Sequence, residues 1–580
     1  MSPAADAYVP PQKESSSRQA TPPRRGPGWF TLLLMGLAIF VIVIARVFPA
    51  YFDNVFFDEA VSNLVTLIAG AMAVFTFWGW FVFRSDYSLL GKRVAFFALL
   101  AMVGGIVGTV RVDSVDGYMI PQKWRFIWQL PDDVANRRQL DTRFVSSSPQ
   151  TPDESHEPPP SPEPTSDADY TGFLGKDHAN YIADGKLADW PKPKPKQLWR
   201  KPVGAGWCAF AVQGDYAVTM EQDADREWTT SYDVRNGKPL WGKSVKARHE
   251  NPLGGVGPRS TPTIDGEYVY SLGATGILQC LKLDSGELVW TDDLLKRYYS
   301  SIDAGDDDAA RLKRQTAAEL LVQWGYTSSP LIYENLVIVQ GGGPVSNGKF
   351  QGKSLIAFDK LTGKVVWEGG DQQIAYVSPV IFKIDERDQV VIVNEAVITG
   401  HDPKTGETLW SFPWKGTSNQ DANNSQPQLI GPNRIFISKG YFSGSAVFTL
   451  LGDESGKYEA TEEWQNLRLL KTKFTNVTII NGYAYGLSDG IMECGNLETG
   501  KSQWKSRKGN FGHGQVLGVG DRIIVLGEKG ELGLIAADPS GYKEIARFQA
   551  LVGKTWNSIC LAGKRLLVRN AEEAVCYELP

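Results

Sequence analysis

Cysteine is scarce and scattered in this sequence: five in 580 residues, at Cys208, Cys280, Cys494, Cys560 and Cys576, with no adjacent pair, no C-x-x-C and no C-x-x-C-H. That excludes haem attachment and the common zinc signatures, and an odd set cannot be wholly paired in disulfides. Net charge is small as well, −5 from 60 Lys and Arg against 65 Asp and Glu. No overall basic field exists to hold a phosphate backbone, so nucleic acid is not an expected partner. The acidic cluster Asp303, Asp306, Asp307 and Asp308 lacks the alternating spacing and closing glutamate of an EF-hand. It precedes an amphipathic run at 309–322 and reads as helix capping. The glycine-rich stretch 341–348 has no following helix, which a phosphate cradle would need, and reads as a long hairpin loop. No metal site is expected.

What the chain does have is three apolar runs near its start, 29–48, 61–83 and 94–110, each near membrane-spanning length. The first is too far from the N-terminus and too long for the apolar core of a signal peptide, and reads as a retained span. The segment before it carries Lys13, Arg18, Arg24 and Arg25, the second connection carries Arg84, Lys92 and Arg93, and the first connection carries no Lys or Arg. That asymmetry predicts a cytoplasmic tail at 1–28, a three-helix anchor at 29–110 in the cytoplasmic membrane, and the remainder on the extracytoplasmic side. A juxtamembrane segment, 111–145, mixes charge with Trp124, Phe126 and Trp128 and reads as lying partly against the headgroups. A proline-rich linker at 146–195 follows, whose expected purpose is reach.

From 196 to 580 the sequence repeats. A glycine is followed four residues later by tryptophan at Gly237 and Trp241, Gly286 and Trp290, Gly363 and Trp367, Gly406 and Trp410, and Gly500 and Trp504. An Asp or Asn precedes four of these glycines by four, at Asp233, Asp359, Asp402 and Asn496, and a slot six before holds Ser231, Cys280, Ala357, Gly400 or Cys494. Each copy reads as a hairpin closed by an Asp/Asn-Gly turn, with two further strands upstream. Four-stranded units recurring with a fixed tryptophan are the pattern of propeller blades. Degenerate copies at 426–464, ending at Trp464, and 514–548 add two, and three strands at 555–579 need a fourth, which the Trp199 strand supplies. The expected fold is all-β: an eight-bladed propeller of four-stranded antiparallel blades behind an N-terminal bundle of transmembrane helices.

The segments 274–290 and 356–367 resemble the tryptophan-docking repeat of pyrroloquinoline-quinone (PQQ) propellers. The resemblance covers roughly residues 196–580 and implies blade docking by Trp199, Trp241, Trp290, Trp367, Trp410, Trp464 and Trp504. The superfamily includes quinoprotein dehydrogenases, which hold PQQ and calcium over the funnel near a carboxylate base, and the propeller lipoprotein of the outer-membrane β-barrel assembly machinery. The adjacent-cysteine disulfide found in many of the dehydrogenases has no counterpart here.

Candidate binding residues stand just before each innermost strand, where they would ring the funnel mouth: Trp207, Arg259, Asn424, Lys473, Asn476, His513, Trp556 and Asn557, with His249 and Glu250 upstream of Arg259. Their bland reading is a water-filled channel lined by polar residues. The cysteines read as buried small residues. The first functional reading is a non-catalytic scaffold, bound to the bilayer through its helices and to an envelope protein or ligand at the propeller face, with no cofactor. The alternative is a dehydrogenase using PQQ and calcium and feeding electrons to the membrane quinone pool.

Overall fold

A computed structural model describes residues 26–51, 59–131, 168–190, 194–415 and 422–580, together with 134 and 166. The chain divides into two compact units. The first is helical, built from most of α1 (Trp29–Tyr51), most of α2 (Glu59–Phe83) and all of α3 (Leu89–Thr109). All three are long and apolar enough to cross a membrane, with mean hydropathy of 2.6, 1.8 and 1.8. The third helix begins at Leu89 rather than 94, and Gly104, Gly105 and Gly108 remain helical within it. The Trp78 indole of α2 donates to Ala95 O at 3.0 Å and stacks on Phe96, pinning α2 to α3.

The second unit contains a ring of eight antiparallel blades. Blade 1 shows the order, with Ala211–Gln213 innermost, then Tyr216–Asp223, Arg226–Asp233 and Pro239–Lys246 outermost. The ring closes as its terminal fragments predict: Lys196–Pro202 pairs with Glu573–Glu578 as the outer strand of blade 8, so the two ends of the domain share a sheet and neither leaves an open edge there.

Each repeat residue has a packing task. The small slot lies directly across the ladder from the tryptophan, in the pairs Ser231 with Trp241, Cys280 with Trp290, Ala357 with Trp367, Gly400 with Trp410, and Cys494 with Trp504. The limit on size is steric, since a β-carbon on Gly400 would fall 2.1 Å from Trp410 Nε1. The indole reaches into the next blade. Trp199 Nε1 donates to Val234 O (2.9 Å), Trp241 to Leu283 O (2.6 Å) and Trp367 to Pro403 O (3.0 Å), and the ring covers that blade's turn glycine. Trp290, Trp464 and Trp504 bond in the same way. Trp410 departs from the pattern and donates to Gln389 Oε1 within its own blade, at 2.7 Å. The reason lies in blade 5, whose third strand runs out to Gly452, so its turn at Asp453 sits farther from the ring than in other blades.

All five cysteines are buried as free thiols. The acidic cluster caps a helix: Asp307 Oδ1 accepts from Ala310 N at the start of α5 (Asp308–Glu319), which with α4 (Leu294–Tyr299) fills the connection from blade 2 to blade 3. The 341–348 stretch is a hairpin extension.

The boundary drawn at 196 falls inside the packed unit. Tyr170 pairs with Val212 of blade 1, and Ile264 of blade 2 donates to Thr171 O. Asn180 Nδ2 then donates to Val477 O beside blade 6, and Tyr181–Ile182 adds a parallel strand to the inner edge of blade 7. Trp190 is buried against Phe548. Because blades 1 and 2 lie opposite blades 5 and 6 in an eight-membered ring, residues 170–182 cross its centre. The tail at 1–25 and the proline-rich stretch at 146–165 lie outside the described residues.

Candidate funnel-mouth site

Strands alternate in direction, so the blade-to-blade connections and the turns between second and third strands share one face of the ring. That face is the funnel mouth. Two strands that directly follow α3 dock on it: β1 (Val110–Val115) and β2 (Pro121–Phe126), an antiparallel hairpin within the second unit. Its tip is tied by Asp116, whose Oδ1 accepts from Tyr118 N (3.0 Å) and Ile120 N (2.9 Å). A short acceptor at the first turn position organises a tight turn this way. The segment read as lying against headgroups therefore also binds the propeller.

The tip makes specific contacts. Gly117 N donates to Glu528 Oε1 at 2.6 Å, the Tyr118 ring lies 4.9 Å from that of His513, and Lys554 Nζ donates to Val115 O at 3.0 Å. Farther back, Lys123 is ion-paired with Glu572. Beneath the tip, Trp207 and Trp556 meet at 5.2 Å, and Phe474 touches both Trp556 (4.5 Å) and His513 (5.3 Å). Lys554 lies over the Trp556 and Trp207 rings at 3.9 and 4.8 Å from their centroids, a cation–π arrangement. Burial pushes its pKa down to about 7, with Arg259 acting in the same direction and Glu528 opposing. Glu528 accepts from Gly117 N, His513 N (3.1 Å) and Trp556 Nε1 (2.8 Å), so one carboxylate ties the hairpin to two connections. A cavity of about 540 Å³ lies between hairpin and rim, lined in part by Arg111, Lys123, Trp207, Glu250 and Lys554.

Trp207, Trp556, His513 and Lys473 thus come together, the last two flanking Asp489 Oδ1 at 3.9 and 3.1 Å. Other candidates are held by internal bonds. Arg259 donates to Gly254 O, Gly255 O and Gly257 O of its own loop, and burial lowers its pKa to about 10. His249 is buried with Nδ1 2.9 Å from Glu319 Oε1 of α5, and burial lowers its pKa. Asn476 accepts from Gln426 N, and Asn557 donates to Gly206 O and Cys208 O, joining neighbouring connections. Glu250 is exposed and paired with Arg248. Asn424 is half-buried in the connection from blade 4 to blade 5.

Sequence reasoning missed Asp489, Glu528 and Glu572 because they stand on turns between second and third strands, which carry no recurring mark like that of the blade-to-blade connections. Lys554 was within reach, two residues before Trp556. Nothing local marks Gly117 as a contact of Glu528.

No curated protein matches the chain. BamB from Moraxella catarrhalis, a solved structure, is 15% identical with a TM-score of 0.43, over 66% of this chain and 97% of that one. Quinohemoprotein alcohol dehydrogenase from Comamonas testosteroni is 11% identical with a TM-score of 0.44, over 71% and 80%. Likeness at that level carries no argument about activity. A family profile described as outer membrane protein assembly factor BamB matches residues 172–322 and 225–506, together more than half of the chain, and by that match this protein belongs to the BamB-type family of PQQ-like propellers.

Proposed function

We propose that this protein is a membrane-anchored, extracytoplasmic propeller acting as a non-catalytic scaffold for an envelope protein. The observation that carries the reading is the filling of the funnel by the chain itself, with the hairpin tip on Glu528, His513 and Lys554 at the mouth and residues 170–182 across the centre. A quinone dehydrogenase needs that space for its cofactor, several oxygen donors for calcium, and a carboxylate base. Among the described residues, no group of three or more His, Cys, Asp or Glu side chains is arranged to hold a metal ion. The mouth carboxylates that could serve as a base are committed, Asp489 beside Lys473 and Glu528 to three N–H donors. These residues do not fit the cofactor.

The test uses the full-length protein in detergent. Titration with PQQ and calcium, followed by absorbance and by dye reduction with alcohols and sugars, is expected to give neither binding nor turnover. Saturable binding with turnover would replace the scaffold reading with the dehydrogenase. In parallel, a photo-crosslinking residue at Leu320 or Val552, each 73% exposed on the mouth-side connections, is expected to trap one discrete envelope protein in intact cells. Absence of any adduct at both positions would count against a scaffold.

A further inference from the structure

The hairpin on the mouth has two unlike faces. Cross-strand pairs set Val110 opposite Phe126 and Val112 opposite Trp124 on one face, and Arg111 opposite Arg125 on the other, because successive strand residues point to opposite sides. The charged face is engaged: Lys123 pairs with Glu572 of blade 8, and Arg125 Nε with Asp113 Oδ1 at 2.9 Å. The apolar face is not covered by the propeller. Trp124 is 61% exposed and Trp128 68%, and Phe126 joins them in a ladder, its ring 5.6 Å from Trp124 and stacked at 4.7 Å on Trp128. An aromatic ladder in water would expose a large apolar patch, which marks an interaction surface.

Two observations choose the occupant. Val110 directly follows Thr109, the last residue of α3, a 21-residue apolar helix. At ~1.5 Å per residue such a helix is about as long as the hydrocarbon core is thick, so a chain leaving it emerges at the headgroups. Indole rings with flanking Arg and Lys are also the composition that settles at that boundary. We infer that the Trp124, Phe126 and Trp128 face rests in the headgroup region of a bilayer, while the opposite face and the tip hold the propeller mouth. The hairpin is then a clamp between lipid and propeller.

This inference rests on α3 being a membrane span, and the experiment separates the two. Single nitroxide labels are placed in the full-length protein in phosphatidylethanolamine/phosphatidylglycerol nanodiscs at Trp124→Cys, Trp128→Cys, Leu100→Cys in α3 and Ser285→Cys in an exposed blade 2 turn. The native thiols are buried. Collision with oxygen and with a water-soluble nickel chelate is then measured. The labels at 124 and 128 are expected to meet the chelate at least about fivefold less than the Ser285 label, yet meet oxygen at least as often. Chelate access equal to that of the Ser285 label, or low access to both reagents as under a protein partner, overturns the clamp. An aqueous reading at Leu100 overturns the span instead.

Discussion

Gly117 at the hairpin tip and His513 in the connection from blade 6 to blade 7 stand so close that a β-carbon on Gly117 would fall 1.9 Å from His513 Cδ2. Glycine is required there for approach rather than for backbone conformation. It lets Gly117 N come within 2.6 Å of Glu528 Oε1 and sets Tyr118 against the His513 ring.

Gly117→Val should therefore lift the tip off the mouth. A hydrogen bond to a charged acceptor contributes about 1.5–3 kcal/mol, and each 1.4 kcal/mol corresponds to about tenfold in an equilibrium. Amide hydrogen exchange in β1 and β2 should accelerate by roughly tenfold or more, with the blade cores unchanged. Exchange in the hairpin no faster than in the parent protein would mean that the tip contact does not hold it.

The lowered pKa of Lys554 gives the mouth a pH dependence of definite sign. Burial moves this ammonium from the usual 10.5 to about 7. Between those values the unfolded chain holds a proton that the folded one lacks, so stability rises as pH climbs from about 7 toward 10, and this group contributes no slope below 7. The thermal midpoint of the propeller should increase between pH 7 and pH 9, and Lys554→Met should remove much of that increase. An identical increase in both proteins would show that Lys554 titrates as an exposed lysine.

The thiols should be silent in the native protein. Burial pushes Cys280, Cys494 and Cys576 up to about 12 and raises Cys560 well above the usual thiol value, and Cys208 is also buried. Attack requires thiolate and access, so a colorimetric disulfide reagent at pH 8 should titrate no thiol in the folded protein and five after denaturation. Fewer than five on denaturation would indicate a disulfide.

The blades were legible in the sequence because their signals are local. A turn glycine, a tryptophan four residues later and a small residue across the ladder lie within about a dozen positions, and each has a steric reason that any one copy displays. Where the local pattern weakened, as at Trp464 with its glycine eight residues earlier, the structure shows a displaced turn and an altered indole bond in the neighbouring blade. Residues 170–190 read as linker in sequence because proline and charge hide short apolar anchors such as Tyr170 and Trp190, whose partners lie far along the chain.

The candidate site divides in the same way. Trp207, Lys473, His513 and Trp556 were legible because the blade-to-blade connections are recognisable in each repeat. Arg259, His249, Asn476 and Asn557 stand where expected but are occupied by loop carbonyls, a neighbouring helix or adjacent connections, and residue type alone cannot distinguish a ligand contact from an internal bond. By itself the sequence determined an eight-bladed ring closed by its own first strand, since hydrophobic alternation and repeat spacing leave no other way to bury both faces of every sheet. Only the tertiary structure decided that the mouth is occupied by the chain's own hairpin. The contact of Gly117 with Glu528 joins residues 411 positions apart, and it exists because ring closure gathers turns from distant blades onto one face.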